Sequence, residues 1–135
     1  MKLNIRKLES KDWNTLCKWW KDWGFEHAPS KDFLPENGKG GLIVEINDIP
    51  VVAGFIYLTN SKTALLEWIV SNPKYRESDR KAAIELLITG SENLVKSLDY
   101  KYLFAVMQHK GLIKIHEKLG WKADAKHSYE LTKIL

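Results

Sequence analysis

Leu3 and Ile5 alternate with polar neighbours and predict a short first strand, closed by the Ser10-Lys11-Asp12 cluster. Trp13, Leu16, Trp20 and Trp23 then recur at helical spacing, so residues 10–24 read as an amphipathic helix with Ser10 as N-cap and Gly24 as its stop. Pro29, Pro35, Gly38, Gly40 and Gly41 break up residues 25–41, which read as a substrate-side loop with one short helical turn near 30–34. Residues 42–46 and 51–58 are β-rich and meet across Asn47-Asp48, a hairpin turn. Residues 63–70 are almost wholly apolar apart from Glu67, as in a strand covered on both faces, and they end at Ser71-Asn72-Pro73. Ala83, Leu86, Leu87, Leu94 and Leu98 predict a helix over 79–98, capped by Ser78 or Asp79 and weakened at Gly90. A strand at 102–107, a helix at 111–119 stopped by Gly120, and a last strand at 128–134 complete a β-α-(α)-β-β-β-α-β-α-β order. Strand, helix and strand across 63–107 form a βαβ unit, which requires a parallel pair.

Length and composition narrow the classes. The 135 residues suit a single domain, 1–135, and 44% apolar residues with 6 Trp, 5 Tyr and 4 Phe can build its core. One cysteine, Cys17, cannot form an internal disulfide or a thiolate cage, and reads as a packed or half-exposed thiol. The first residues lack an apolar run after their charges, and no apolar stretch reaches the ~18 residues of a membrane span, so a cytoplasmic protein without membrane partners is expected. The net charge of +4 attracts phosphates of any kind and selects none of them.

Two segments carry a family resemblance. Leu66-Glu67-Trp68-Ile69-Val70-Ser71-Asn72-Pro73-Lys74-Tyr75-Arg76, leading into Ala82-Ala83-Ile84-Glu85-Leu86-Leu87, resembles a strand ending in V-x-P-x-Y-R before a phosphate-binding turn and helix. His109-Lys110-Gly111-Leu112-Ile113-Lys114-Ile115-His116-Glu117-Lys118-Leu119-Gly120-Trp121 resembles the ending N-x-x-A-x-x-L-Y-E-K-L-G-F. With the order of elements, these resemble the GNAT superfamily of acyl-CoA-dependent N-acyltransferases. The resemblance implies an α/β fold: a single-domain mixed sheet with a central parallel strand pair flanked by helices, the pair splaying at its C-terminal ends. It also implies acetyl-CoA or another acyl-CoA as cosubstrate and an amine of a small molecule or protein as acceptor.

The resemblance assigns roles residue by residue. Ile69, Val70 and Ser71 match the strand end whose main chain pairs with pantetheine and polarises the thioester carbonyl. Arg76, Ser78, Asp79, Arg80 and Lys81 match the phosphate turn, and His109 joins this cofactor set. The family's small residues are replaced here by Asp79 and Lys81, whose side chains stand where backbone N–H groups would approach a pyrophosphate at a helix N-terminus. Lys74, Arg76, Arg80 and Lys81 offer direct charge pairing instead, and Asp79 repels phosphate unless it turns away to cap the helix. Glu67 is implied as general base toward the amine. His116 stands at the family's tyrosine and is implied as general acid toward the thiolate, against a structural histidine at the edge of an apolar face, with Tyr129 as substitute.

Other signals point elsewhere or nowhere. Asn37-Gly38-Lys39-Gly40-Gly41 lacks the spacing of a phosphate loop and precedes a strand. His27, His109, His116 and His127 lack metal-ligand spacing, so no metal is expected. Trp19 lies off the face shared by Trp20 and Trp23, so at least one indole is left for a cleft or interface. Segments 74–81 and 110–126 are mildly basic but have acidic residues interspersed, and no nucleic-acid partner is expected. The alternative to an enzyme is a non-catalytic module of the same fold acting through protein contacts; a homodimer is compatible with either.

Overall fold

The computed structural model describes residues 2–126 and 128–135, so His127 lies outside the described residues. Five strands, β1 (Leu3–Lys7), β2 (Gly41–Ile46), β3 (Ile49–Tyr57), β4 (Thr63–Ser71) and β5 (Tyr102–Phe104), form one sheet in sequence order. The first four are antiparallel neighbours, and β4–β5 is parallel, joined by α2 (Arg80–Ser97) as the βαβ pattern requires. Helix α1 (Trp13–Asp22) follows β1, and α3 (Lys110–Lys118) follows β5.

Alternation along the strands feeds two cores. Leu42, Val44, Ile46, Val52, Ile56 and Leu66 pack with Ala83, Leu87 and Val95 of α2. Ile43, Ala53, Phe55 and Val70 pack on the opposite face with Leu16, Trp19 and Trp20 of α1. Trp19, placed off the helical face by its spacing, is buried here as well. The β2–β3 turn uses Asn47 and Asp48 at φ 49° and 67°, the left-handed pair whose twist matches a hairpin.

Several boundaries differ from the periodicity. Ser10 opens a 3-10 turn, Ser10–Asp12, instead of capping an α-helix. Asp12 governs this turn: its carboxylate accepts from the Glu9 N–H at 2.8 Å and from two Arg6 nitrogens at 2.8 and 2.9 Å. The helix over 79–98 is continuous through Gly90, where a Cβ would stand 2.4 Å from Ile5 Cδ1, so the glycine admits β1 against α2. The loop 25–41 holds two 3-10 turns, Lys31–Phe33 and Pro35–Gly38. Residues 128–135 carry no strand, contrary to the alternation over 128–134. Alternation supplies one edge of a ladder, and a strand needs a second edge in register.

Candidate active site

The site forms where β4 and β5 part. Their pairing runs from Thr63–Tyr102 to Leu65–Phe104 and stops, whereas β4 stays paired with β3 as far as Ser71. Beyond Leu65 the outer edge of β4 borders a cleft of about 1180 Å³. The second strand, expected over 102–107, therefore ends early because its chain diverges from β4.

A bulge aims the side chains. Between the pairs Phe55–Glu67 and Ala53–Val70, β4 has one residue more than β3, and Trp68 takes a left-handed φ of 56°. A bulky side chain in that region costs about 1–3 kcal/mol. The effect on facing is visible in the cores: Leu66 and Ile69 pack toward α2, whereas Trp68 and Val70 pack toward α1. Glu67 pairs with Phe55, so carboxylate and indole emerge side by side on the α1 face. On the opposite strand Gly54 leaves room for Leu66 and Ile69, whose carbons would lie 3.2 and 3.3 Å from a Cβ there.

Glu67 spans the parting strands. Its Oε1 accepts the Val106 N–H at 2.7 Å, and the side chain is half-buried in the cleft wall. Burial pushes its carboxyl above the ordinary range, the Val106 bond draws it partly back, and the nearby Glu130 carboxylate pushes it up again. Glu130 and Thr132 line the same cleft, bringing the C-terminal segment to the site without a strand.

Farther along β4 the charge reverses. The Trp23 indole N–H donates to the Ser71 carbonyl at 2.7 Å, and the Arg76 and Arg80 guanidinium carbons lie 5.6 and 6.0 Å from the Trp23 ring centre. Arg80 also donates to the Ser71 hydroxyl and, at 3.5 Å, to the Tyr75 carbonyl. Burial and, after it, the neighbouring Arg76 lower the Arg80 pKa, as partial desolvation beside a like charge requires.

The remaining sequence candidates divide. Ile69, Val70, Ser71, Arg76, Arg80 and His109 line the cleft with Glu67; Ser78, Asp79 and Lys81 do not. Asp79 does not cap α2 through its side chain, as expected from sequence, but accepts the Tyr75 hydroxyl at 2.7 Å, which helps push that phenol up to about 12. His109 caps α3, its Nδ1 accepting the Leu112 N–H at 3.2 Å.

His116, expected to act as general acid, is absent from the cleft lining. The residue is 3% exposed, its Nδ1 donates to the Leu112 carbonyl at 2.8 Å, and its ring meets Trp121 edge-on at 4.7 Å. Its Nε2 is buried with no hydrogen-bond partner among the described residues. Burial lowers its pKa, opposed by the Leu112 carbonyl and Glu92, which favours the neutral ring. Tyr129 lies on an exposed stretch, and its neighbour Glu130 is the residue that reaches the cleft.

No known protein-family profile matches the chain, and no curated protein matches it. Solved structures do. An aminoglycoside acetyltransferase from an uncultured soil metagenomic sample, in complex with trehalose, superimposes with a TM-score of 0.68 at 11% identity over 97% of each chain. AAC(6')-Iy, in complex with the bisubstrate analogue CoA-S-monomethyl-acetylneamine, gives 0.68 at 14% identity over 99% of this chain and 100% of that one. The ribosomal-protein-S18-alanine N-acetyltransferase from Escherichia coli gives 0.68 at 17% identity over 88% and 77%. The chain has the GNAT fold. Identities this low speak for the shared arrangement of strands and helices.

Within this GNAT fold, sequence reasoning missed Trp23, Phe33, Tyr57, Trp68 and Glu130 as cleft residues. The surplus of tryptophans in the first helix was the one signal, and it pointed to an indole without saying which. No metal-binding group of three or more His, Cys, Asp or Glu occurs among the described residues, and none of their helices is long and apolar enough to cross a membrane.

Proposed function

We propose that the protein is an N-acyltransferase that moves an acetyl or other acyl group from acyl-CoA to an amine. One observation carries the reading: a single cleft contains both a half-buried carboxylate at the parting of β4 and β5 and, beside Ser71, a pair of arginines. The chain's own residues fit acyl-CoA as a substrate. Arg76 and Arg80 supply the charge that missing turn glycines would otherwise provide through backbone N–H groups, and Asp79 is engaged by Tyr75.

The chemistry follows from these groups. An amine arrives protonated, and Glu67, directly or through one water, takes the proton; burial raises its pKa and so makes it a stronger base than an ordinary glutamate. The nitrogen lone pair bonds to the acyl carbon, the carbon–sulfur bond breaks, and sulfur leaves with the electron pair and takes a proton from water, to which the new amide nitrogen gives up its second proton. Main-chain N–H groups on the open edge of β4 near Val70 and Ser71 offset the charge that develops on the carbonyl oxygen. His116 and Tyr129 have no part in this scheme.

Calorimetric titration with acetyl-CoA, beside desulfo-CoA and a duplex oligonucleotide, combined with thiol release in the presence of mixed amines, tests the proposal. Binding of both CoA species with amine-dependent thiol release is expected. Absence of acetyl-CoA binding overturns it. Binding without turnover favours a non-catalytic module, the reading to which the missing glycines and the buried His116 lend support.

A further inference from the structure

The part of the cleft around Glu67 is aromatic and acidic together. Phe33 and Trp68 meet edge to face at 6.0 Å, and the Tyr57 hydroxyl donates to the Phe33 carbonyl at 3.0 Å. Desolvation raises the Tyr57 phenol, the neighbouring Trp68 side chain lowers it, and Glu67 raises it again, so the carboxylate lies within electrostatic reach of this trio. Glu130 acts on Glu67 from the facing C-terminal segment. Phe33 remains 47% exposed although it lines a cleft, which leaves a ring face open to a ligand.

Positive charge is missing from this region. Among the described residues the arginines and lysines that line the cleft are Arg76 and Arg80, both beside Trp23 and Ser71. Lys31, the sequence neighbour of the aromatic turn, lies 5.4 Å over the Trp13 ring and is not in the cleft lining. Two carboxylates and exposed ring faces attract an ammonium ion, and ring edges pack against another ring. A carboxylate or phosphate carried by the acceptor would meet like charge with no counter-ion.

We propose that the acceptor is an arylalkylamine: a primary ammonium on a short linker to an aromatic ring, without an acidic group. The inference rests on the acyltransferase reading for the transfer step, whereas the binding preference stands apart from it.

The test therefore measures binding first. 2-Phenylethylamine, phenylalanine and butylamine are titrated onto the full chain, with and without coenzyme A, and followed by tryptophan fluorescence. 2-Phenylethylamine should bind at least about tenfold more tightly than phenylalanine, which adds a carboxylate to an acidic pocket, and more tightly than butylamine. Phe33→Leu should weaken 2-phenylethylamine by about two- to fivefold through loss of the ring face, and Glu130→Gln should weaken it while leaving coenzyme A affinity unchanged. Phenylalanine or butylamine binding as well as 2-phenylethylamine, or no amine binding, overturns the inference. If the amine preference appears but acetyl-CoA does not bind, the transfer reading fails and the amine site stands.

Discussion

Glu67 is withdrawn from water enough to hold a proton more tightly than an ordinary glutamate, yet keeps one hydrogen bond, from Val106, that fixes its direction. The sign of its effect on stability follows. Its folded pKa is raised, so the ionised form is disfavoured in the fold, and the chain loses stability as pH rises from the unfolded value through the folded one. Glu67→Gln should therefore melt no lower than wild type at pH 7, while turnover falls about 10²- to 10⁴-fold. The wild-type rate should rise with pH through the raised pKa, and an acid limb at the usual glutamate value would remove Glu67 as the base. His116 has the opposite linkage. Its folded pKa is lowered by burial, so its stability contribution is complete above the unfolded value and lost as pH falls through and below it. Melting curves at pH 7.5 and 5 should show that loss in wild type and a smaller one in His116→Phe, with acyl transfer retained. An equal pH dependence in both proteins would mean that His116 is not the group responsible. Periodicity put His116 at the edge of an apolar face but could not say which neighbour that edge meets; Trp121, after the turn at Gly120, fills the place.

At the scale of elements, the order and direction of strands were legible because alternation and helical spacing are local properties that burial enforces. The bulge at Trp68 was not, since no residue type announces a left-handed tryptophan; the conformation is imposed by packing on both faces. Gly90 shows how packing can blunt a local reading. In an exposed helix Gly→Ala stabilises by about 0.8–1 kcal/mol, but here the added carbon meets the terminal methyl of half-buried Ile5 at 2.4 Å, so that methyl must turn aside. Gly90→Ala should therefore stabilise by less than that, and Ile5→Val should restore the missing part in the double variant. Denaturant midpoints decide it: a single variant with the full gain would show that β1 yields without cost.

Across the whole molecule, α1 covers one face of the sheet and α2 the other, and the cleft takes its contrasting charge from the two lengths of β4 that they leave open. The sequence placed Arg76 and Arg80 next to a strand end but gave no sign that Trp23, from the far side of the chain, would stand beside them and donate to Ser71. Replacing both arginines by Ala should weaken coenzyme A about tenfold or more while changing pantetheine, which lacks the diphosphate, much less. Equal losses for the two ligands would assign the arginines to folding. The C-terminal segment was misread for a reason at this same scale: its alternation turns Glu130 and Thr132 into the cleft, and no strand forms over residues 128–135.

The tryptophans of α1 and β4 form a chain of near-perpendicular rings, Trp13 to Trp20 at 5.9 Å and Trp20 to Trp68 at 6.2 Å. Indoles so close and so strongly crossed share their excited states, and the shared transition splits into bands of opposite circular dichroism. The protein thus carries an optical gauge of the contact between its first helix and the bulged strand. The Trp20–Trp68 contribution would vanish in any loosened state that keeps its helices but releases α1 from the sheet, while the Trp13–Trp20 contribution, internal to α1, would stay, and an occupant that shifts the Trp68 ring would change the amplitude without any added label.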